Sequence, residues 1–422
     1  MKEDFLHYVW RYRKFDHTDL KTTQGEPVTI LNPGQYLQLA GPDFFNAQII
    51  IADQKWAGNI EIHVNSSDWY LHNHQSDEAY ENVILHVVWQ HDADILRINN
   101  LEIPVLELSH YVASKTLDNY NNLTTVKSWI FCERQLKQIP DITLLQWKEV
   151  LFIERLERKC DPIMFLLDET RGDWEATLFS LLARNFGLNT NGNSFYEAAR
   201  QIPFSVILKE QAVPIHIESI LFGMAGLLAG HHEDVYFNEL KRTFTYLVEK
   251  HKLHVSTVTP LQFFKHRPDN FPTIRLSQFA ALYSGKVNLF SSISELADIK
   301  KFYEIFDVSA SEYWQTHYLF DRPSRASPRK PGRSFIDLLI INTIIPVQFA
   351  YARSRGRQNF EDLAELLQQL KAERNSIVLK FEEHGLEVGN AFDSQALLQL
   401  RNEYCSKARC LQCAIGMELL KS

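Results

Sequence analysis

The sequence predicts an α+β protein, with a mixed, β-rich N-terminal domain followed by a mostly α-helical one, and three observations carry that reading. Short apolar runs, some alternating with period two, crowd the first hundred or so residues. From about Thr143 the apolar period lengthens to that of a helix. The chain has 422 residues, 45% hydrophobic and 23% charged, an ordinary globular balance with room for two or three cores.

Taken in order, Phe5, Tyr8, Val9, Tyr12 and Phe15 recur at helical spacing and predict an opening helix. Val28-Thr29-Ile30-Leu31 reads as a strand stopped by the turn Asn32-Pro33-Gly34. Residues 47–51 suit a buried strand, and a turn at 55–58 leads to a returning strand at 58–64. There Ile60, Ile62 and Val64 share one face and Asn59, Glu61 and His63 the other. The near-continuous apolar run 83–89 reads as a strand covered on both sides, and 101–106 as a last short one. Polar residues 114–127 mark a boundary, giving a β-rich domain at 1–120, a linker at 121–140 and a helical domain at 141–422. Helices are expected at 144–159, 174–186 with Gly187 as its stop, 217–228, 235–252, 360–379 and 394–404, the last capped by Asp393. The stretch 321–332, rich in Pro, Ser and Arg, reads as a loop.

A net charge of −8 argues against a protein that coats nucleic acid indiscriminately, while leaving room for a local basic groove. Met1-Lys2-Glu3-Asp4 lacks the basic start and apolar stretch of a secretory signal. The apolar run 335–352 carries Asp337, Asn342, Pro346 and Gln348, which suits a buried helix better than a membrane span. Five cysteines, an odd number, do not suggest a secreted disulfide scaffold. The cytoplasm is the expected compartment, with no membrane partner.

Chemistry concentrates between Asp43 and His91. His63, His72, His74, His86 and His91 fall there, interleaved with Asp43, Glu61, Asp68 and Asp77. Carboxylates brought together raise one another's pKa unless a cation compensates, so Asp43 with Glu61 points to a divalent ion, Mg or Mn. Glu61 and His63, two apart on a strand, project from one face and place an imidazole beside the acids, which suits water activation. Asp68, His72, His74, Asp77 and His86 are further candidate ligands. The plainer alternative is a polar network: alternation on a strand usually marks a solvent face, and His86 in an apolar run is ordinarily a hydrogen-bonded core residue.

Gly41-Pro42-Asp43 followed by Glu61-x-His63 resembles the Asp…Glu-x-Lys signature of the restriction-endonuclease-like, or PD-(D/E)xK, nucleases. The resemblance implies a restriction-endonuclease-like α/β core, metal binding by Asp43 and Glu61, and water positioning by the third residue. His63 stands where that family has Lys. An imidazole can take a proton or bind a softer metal, but it does not supply a fixed charge. The link from His63 to the next strand is also short for the helix which that family places there. Over nearly the whole chain, Gly41-Pro42-Asp43-Phe44, Glu61-Ile62-His63-Val64 through Ser67-Asp68-Trp69, Leu85-His86-Val87-Val88 and the stretch from Tyr404-Cys405 to Gly416 resemble a bacterial family catalogued only as a domain of unknown function (number 2851). That family brings no established activity with it.

Cys405-x4-Cys410-x2-Cys413 places three thiols at metal-ligand spacing, with Cys132 the natural fourth and Cys160 the other candidate, for structural Zn or an iron–sulfur cluster. The pattern is similar to nucleases of the same fold that hold a cluster with three C-terminal cysteines and one distant one. In those the distant cysteine precedes the nuclease core, whereas Cys132 follows it. Small buried thiols packing a helical hairpin are the alternative. Arg322, Arg325, Arg329, Lys330 and Arg333 form an acid-free basic run that could clamp phosphates of a nucleic acid. The expected function is a metal-dependent phosphodiesterase or nuclease. A non-catalytic, partner-binding scaffold with a degenerate nuclease-like domain is the second reading, and a His/Asp metal hydrolase acting on something other than nucleic acid the third.

Overall fold

The computed structural model describes residues 2–36, 41–124, 128–263, 267–285 and 288–421. Two compact units result: residues 1–147 with 383–386 and 400–422, and residues 148–382 with 387–399. The chain is α+β, a mixed sheet first and mostly helices after it.

In the first unit, helix α1 (Glu3–Arg11) leads into β1 (Val28–Asn32), β2 (Gln35–Tyr36), β3 (Phe44–Ile51) and β4 (Gln54–Asn65). A one-turn helix α2 (Asp68–Leu71) and two 3-10 turns then lead to β5 (Val83–Gln90) and β6 (Val105–Glu107). The sheet order is β1-β3-β4-β5-β6, with β2 alongside β3. β1, β3 and β4 alternate in direction, and β4, β5 and β6 run parallel. The β3–β4 turn is tighter than the sequence suggests. Ala52 and Asp53 both adopt positive φ and close a two-residue loop, so 55–58 lies inside β4. Gly58 is required there, because any Cβ would overlap Ile84. β5 is buried from Val83 to Val88, as its unbroken apolar run demands.

The stretch 114–124, expected as a boundary, is a helix, Ser114–Thr124; residues 125–127 of the expected linker lie outside the described residues. The last helix, Ala414–Lys421, belongs with the sheet unit.

The second unit is built on a large aromatic and aliphatic core. Helix Asp141–Glu169 runs on through Pro162, beyond the 144–159 read from periodicity. Residues 360–379, expected as one helix, form two, Phe360–Gln368 and Ser376–Glu383. The apolar run becomes a helix over Arg333–Ser354, long and apolar enough to cross a membrane by composition, with 72% of its most apolar window buried inside the protein. Its middle, Ile340–Ile344, is a π-turn. Pro346 explains it: proline offers no N–H to the carbonyl of Asn342 and its ring crowds that group, so the helix widens there.

Candidate metal centre

The β3–β4 hairpin brings Asp43 and Glu61 together through a bulge. Ala47 pairs with Gly58, yet Phe44 pairs with Ile60, so Phe45 and Asn46 together oppose Asn59. Asn46 takes positive φ, and its N–H donates to Asn59 Oδ1 at 3.3 Å. Unbulged pairing would set Asp43 across from Ile62. The extra residue sets it across from Glu61 and on the same face. The Asp43 N–H donates to Glu61 Oε2 at 3.2 Å, and the Ile62 N–H to Asp43 Oδ2 at 3.0 Å.

His63 continues that face of β4. Its Nε2 lies 3.6 Å from Glu61 Oε1 and 3.0 Å from His72 Nδ1, and its Nδ1 lies 2.8 Å from His86 Nε2 on β5. His72 and His74 follow α2, either side of Asn73, whose left-handed backbone turns the chain. His74 stacks on Tyr80 at 3.7 Å, packs edge-on to the buried Trp69, and sets its Nε2 3.3 Å from Glu61 Oε1. The donor atoms of His63, His72 and His74 all lie within 4.8 Å of one another. Ligand atoms held about 2.1 Å from one ion stand roughly 3.0 Å apart at right angles and 3.4 Å apart at tetrahedral angles, so these spacings suit a single ion. Moreover, His74 Nε2 is buried and has no hydrogen-bond partner among the described residues.

Burial dominates the electrostatics of the cluster. Burial, reinforced by Asp43, pushes the Glu61 carboxyl up to about 9. Burial and the neighbouring imidazoles of His86, His72 and His74 push His63 down to about 2, and burial with His74 and His91 takes His86 to about 3. Burial thus disfavours the charged forms of Glu61, His63 and His86 alike. A divalent ion bound there would offset the penalty on the Glu61 carboxylate and would use the lone pairs of His63, His72 and His74.

Two contributors escaped the sequence reading. His7, from α1, sets its Nε2 3.1 Å from Asp43 Oδ2 and its Nδ1 3.4 Å from the Tyr36 hydroxyl. Burial disfavours its charge, but the Asp43 carboxylate prevails and raises its pKa. Glu3, on the same helix, is raised by burial while His72 and His7 act against that shift. Beside His7 opens a cavity of about 210 Å³ walled by Arg11, Tyr12, Tyr36, Lys407 and Arg409. The aromatic stripe of α1 was legible, whereas the polar residues between its members carried no pattern of their own.

The other expected ligands are placed elsewhere. Asp68 Oδ2 accepts the Asn65 N–H at 2.9 Å, and Asp77 caps a 3-10 turn by accepting the Ala79 N–H at 2.9 Å. His86 stands behind His63 as its hydrogen-bond partner. In the basic run, Arg329 is buried, bonded to the carbonyls of Trp314 and Arg325 and stacked on Tyr318; Lys330 is paired with Asp307. Arg322, Arg325 and Arg333 are exposed.

The four cysteines Cys132, Cys405, Cys410 and Cys413 line one small apolar cavity with Ile130, Leu400 and Ile415. Burial, with the charge of its thiol neighbours, pushes Cys132 up to about 12, and Cys410 likewise. Gly416 lets the backbone of Cys410 close onto the last helix, since a Cβ would overlap its carbonyl. Cys160 lies apart, in the helical core. The four thiols thus share one cavity, and the loop between Cys405 and Cys410 carries Lys407 and Arg409 to the wall beside His7.

A family model described as a protein of unknown function (DUF2851) matches residues 3–376. No curated protein and no solved structure matches the chain.

Proposed function

The chain belongs to the DUF2851 family, whose description carries no activity, and from the site itself we propose that it is a metal-dependent hydrolase of phosphodiesters, with nucleic acid as the substrate class to test first. The observation that carries this reading is the meeting of His63, His72 and His74 at ligand spacing, with Glu61 Oε1 3.6 Å from His63 and 3.3 Å from His74, beside the Asp43–His7 pair. An imidazole-rich set favours Mn or Zn over Mg, which prefers an all-oxygen shell. Such an ion supplies Lewis acidity toward a phosphoryl oxygen.

The chain's own groups do the rest. Asp43, held by the Ile62 N–H, faces His7 and can accept a proton through it. Arg11, Lys407 and Arg409 line the adjoining cavity and fit the charge of a phosphate. In this reading His63 acts as a ligand, so the nuclease signature's missing Lys is met by the basic wall. The mixed sheet, with β3 antiparallel to the strands it pairs with, supports the nuclease-like resemblance, whereas the four-residue helix after β4 is shorter than the helix that family places there. We read the thiol quartet as a structural clip, holding Zn or an iron–sulfur cluster, that fixes Lys407 and Arg409 in place.

The test is cleavage of bis(p-nitrophenyl) phosphate and of single- and double-stranded oligonucleotides by metal-loaded protein. Turnover should require Mn or Zn and fall at least about a hundredfold in Glu61→Gln and in His63→Ala. Arg409→Ala should raise KM more than it lowers kcat. Wild-type protein that binds the ion tightly yet cleaves none of these substrates would leave a structural metal and the scaffold reading.

A further inference from the structure

The helical unit holds a second site of a different kind. A cavity of about 750 Å³ opens among the helices Asp141–Glu169, Trp174–Phe186, Leu188–Arg200 and Arg333–Ser354. Arg155, Lys159 and Arg184 line it, as do the amides of Asn185, Asn189 and Asn193. Lys159 Nζ donates to Asn342 Oδ1 at 2.9 Å, and Arg155 Nη2 reaches the same oxygen at 3.3 Å. Among the described residues neither cation is paired with a carboxylate.

An ammonium has three donors and a guanidinium five, so one shared amide oxygen leaves most of them free. Glu373, the acid on the cavity wall, is committed to Asn375 and Gln395. Two neighbouring, half-buried cations with Glu373 as the carboxylate in electrostatic reach are undercompensated, and that is costly. Burial and the charges of Arg155 and Arg158 drive the Lys159 pKa well below its ordinary value, which measures that cost in direction. The π-turn presents Asn342, and π-turns recur where a helix has been bent to a purpose. The buried Thr343 hydroxyl, next along that turn, also lines the cavity and has no partner among the described residues.

We propose that this cavity binds a phosphorylated small molecule of nucleotide or sugar-phosphate size, its phosphoryl group on Arg155 and Lys159 and its hydroxyl-bearing body against the asparagines. The volume lies within the range of small-ligand sites. Guanidinium and ammonium together satisfy a phosphate dianion, and side-chain amides both donate to and accept from hydroxyls. This inference concerns the second unit alone and stands whether or not the first hydrolyses anything.

Thermal melting of the full-length chain tests it, with inorganic phosphate, ribose 5-phosphate and AMP as probes and adenosine as the uncharged control. The phosphorylated probes should raise Tm and adenosine should not. Ribose 5-phosphate acting like phosphate would show that the phosphoryl group alone is read, whereas a larger effect of ribose 5-phosphate or AMP would show that the body is read too. Lys159→Met removes a poorly compensated charge, so it should melt no lower than wild type without ligand yet bind at least roughly tenfold more weakly. Arg184→Gln, at an exposed position, should fold normally and weaken binding several-fold. The proposal fails if no phosphorylated probe shifts the wild type, or if the shift persists undiminished in both variants.

Discussion

The imidazole of His86 is fully buried, and its Nε2 meets His63 Nδ1. A ligating histidine is usually fixed by what its other nitrogen bonds to, so under the proposed function His86 would position His63. His86→Leu should therefore leave the far-ultraviolet spectrum intact and lower affinity for Mn or Zn by about 10–100-fold in calorimetric titration, with partial recovery in His86→Gln. An unchanged affinity would remove His86 from the site. The cluster of acids and histidines was legible because residues 61–86 hold so many of both; His7 and Glu3 were not, since only the fold brings α1 to them. Glu210 shows residue-scale electrostatics of a second sort. Burial opposes its charge, but hydrogen bonds from Lys250, His251 and His216 prevail and lower its pKa from 4.5 to about 2. A lowered carboxyl pKa stabilises the fold fully above about pH 4.5, and that contribution drains away as pH falls toward 2. Glu210→Gln should flatten this part of the acid limb when urea midpoints are followed against pH.

At the level of elements, the β3–β4 turn sets Ala52 and Asp53 at φ values of 46° and 67°, a region that Asn and Gly occupy more comfortably. The double variant Ala52→Asn, Asp53→Gly should raise stability by about 1 kcal/mol, read from the denaturation midpoint. The strands themselves were readable from alternation and apolar runs. The turn was displaced because Gly58 looked like a loop residue, whereas it serves the close passage of β4 against Ile84. The π-turn had no pattern to betray it beyond Pro346. Its effect on Asn342 depends on the direction of a side chain, which periodicity does not report.

For the molecule as a whole, the strongest departure from a reading in two consecutive halves is the return of residues 400–422 to the sheet unit. Removing them should strip protection from amide exchange around Cys132 and the helix Ser114–Thr124, while the helices between 174 and 251 keep theirs. Exchange measured by mass spectrometry decides this, and equal loss throughout would contradict the division into units. Sequence periodicity gave no warning of the return, because which unit a terminal helix joins is decided by tertiary packing, here that of the last helix against Ser114–Thr124. Finally, the surplus residue opposite Asn59 works as a phase setting for the entire pocket. Inserting one residue between Phe44 and Ala47, with the single bulge kept, would preserve every hydrophobic side chain of the hairpin and yet carry Phe44 into the place that Asp43 holds. Lineages that vary the length of this hairpin should do so beyond its ends, where a gained or lost residue leaves that phase untouched.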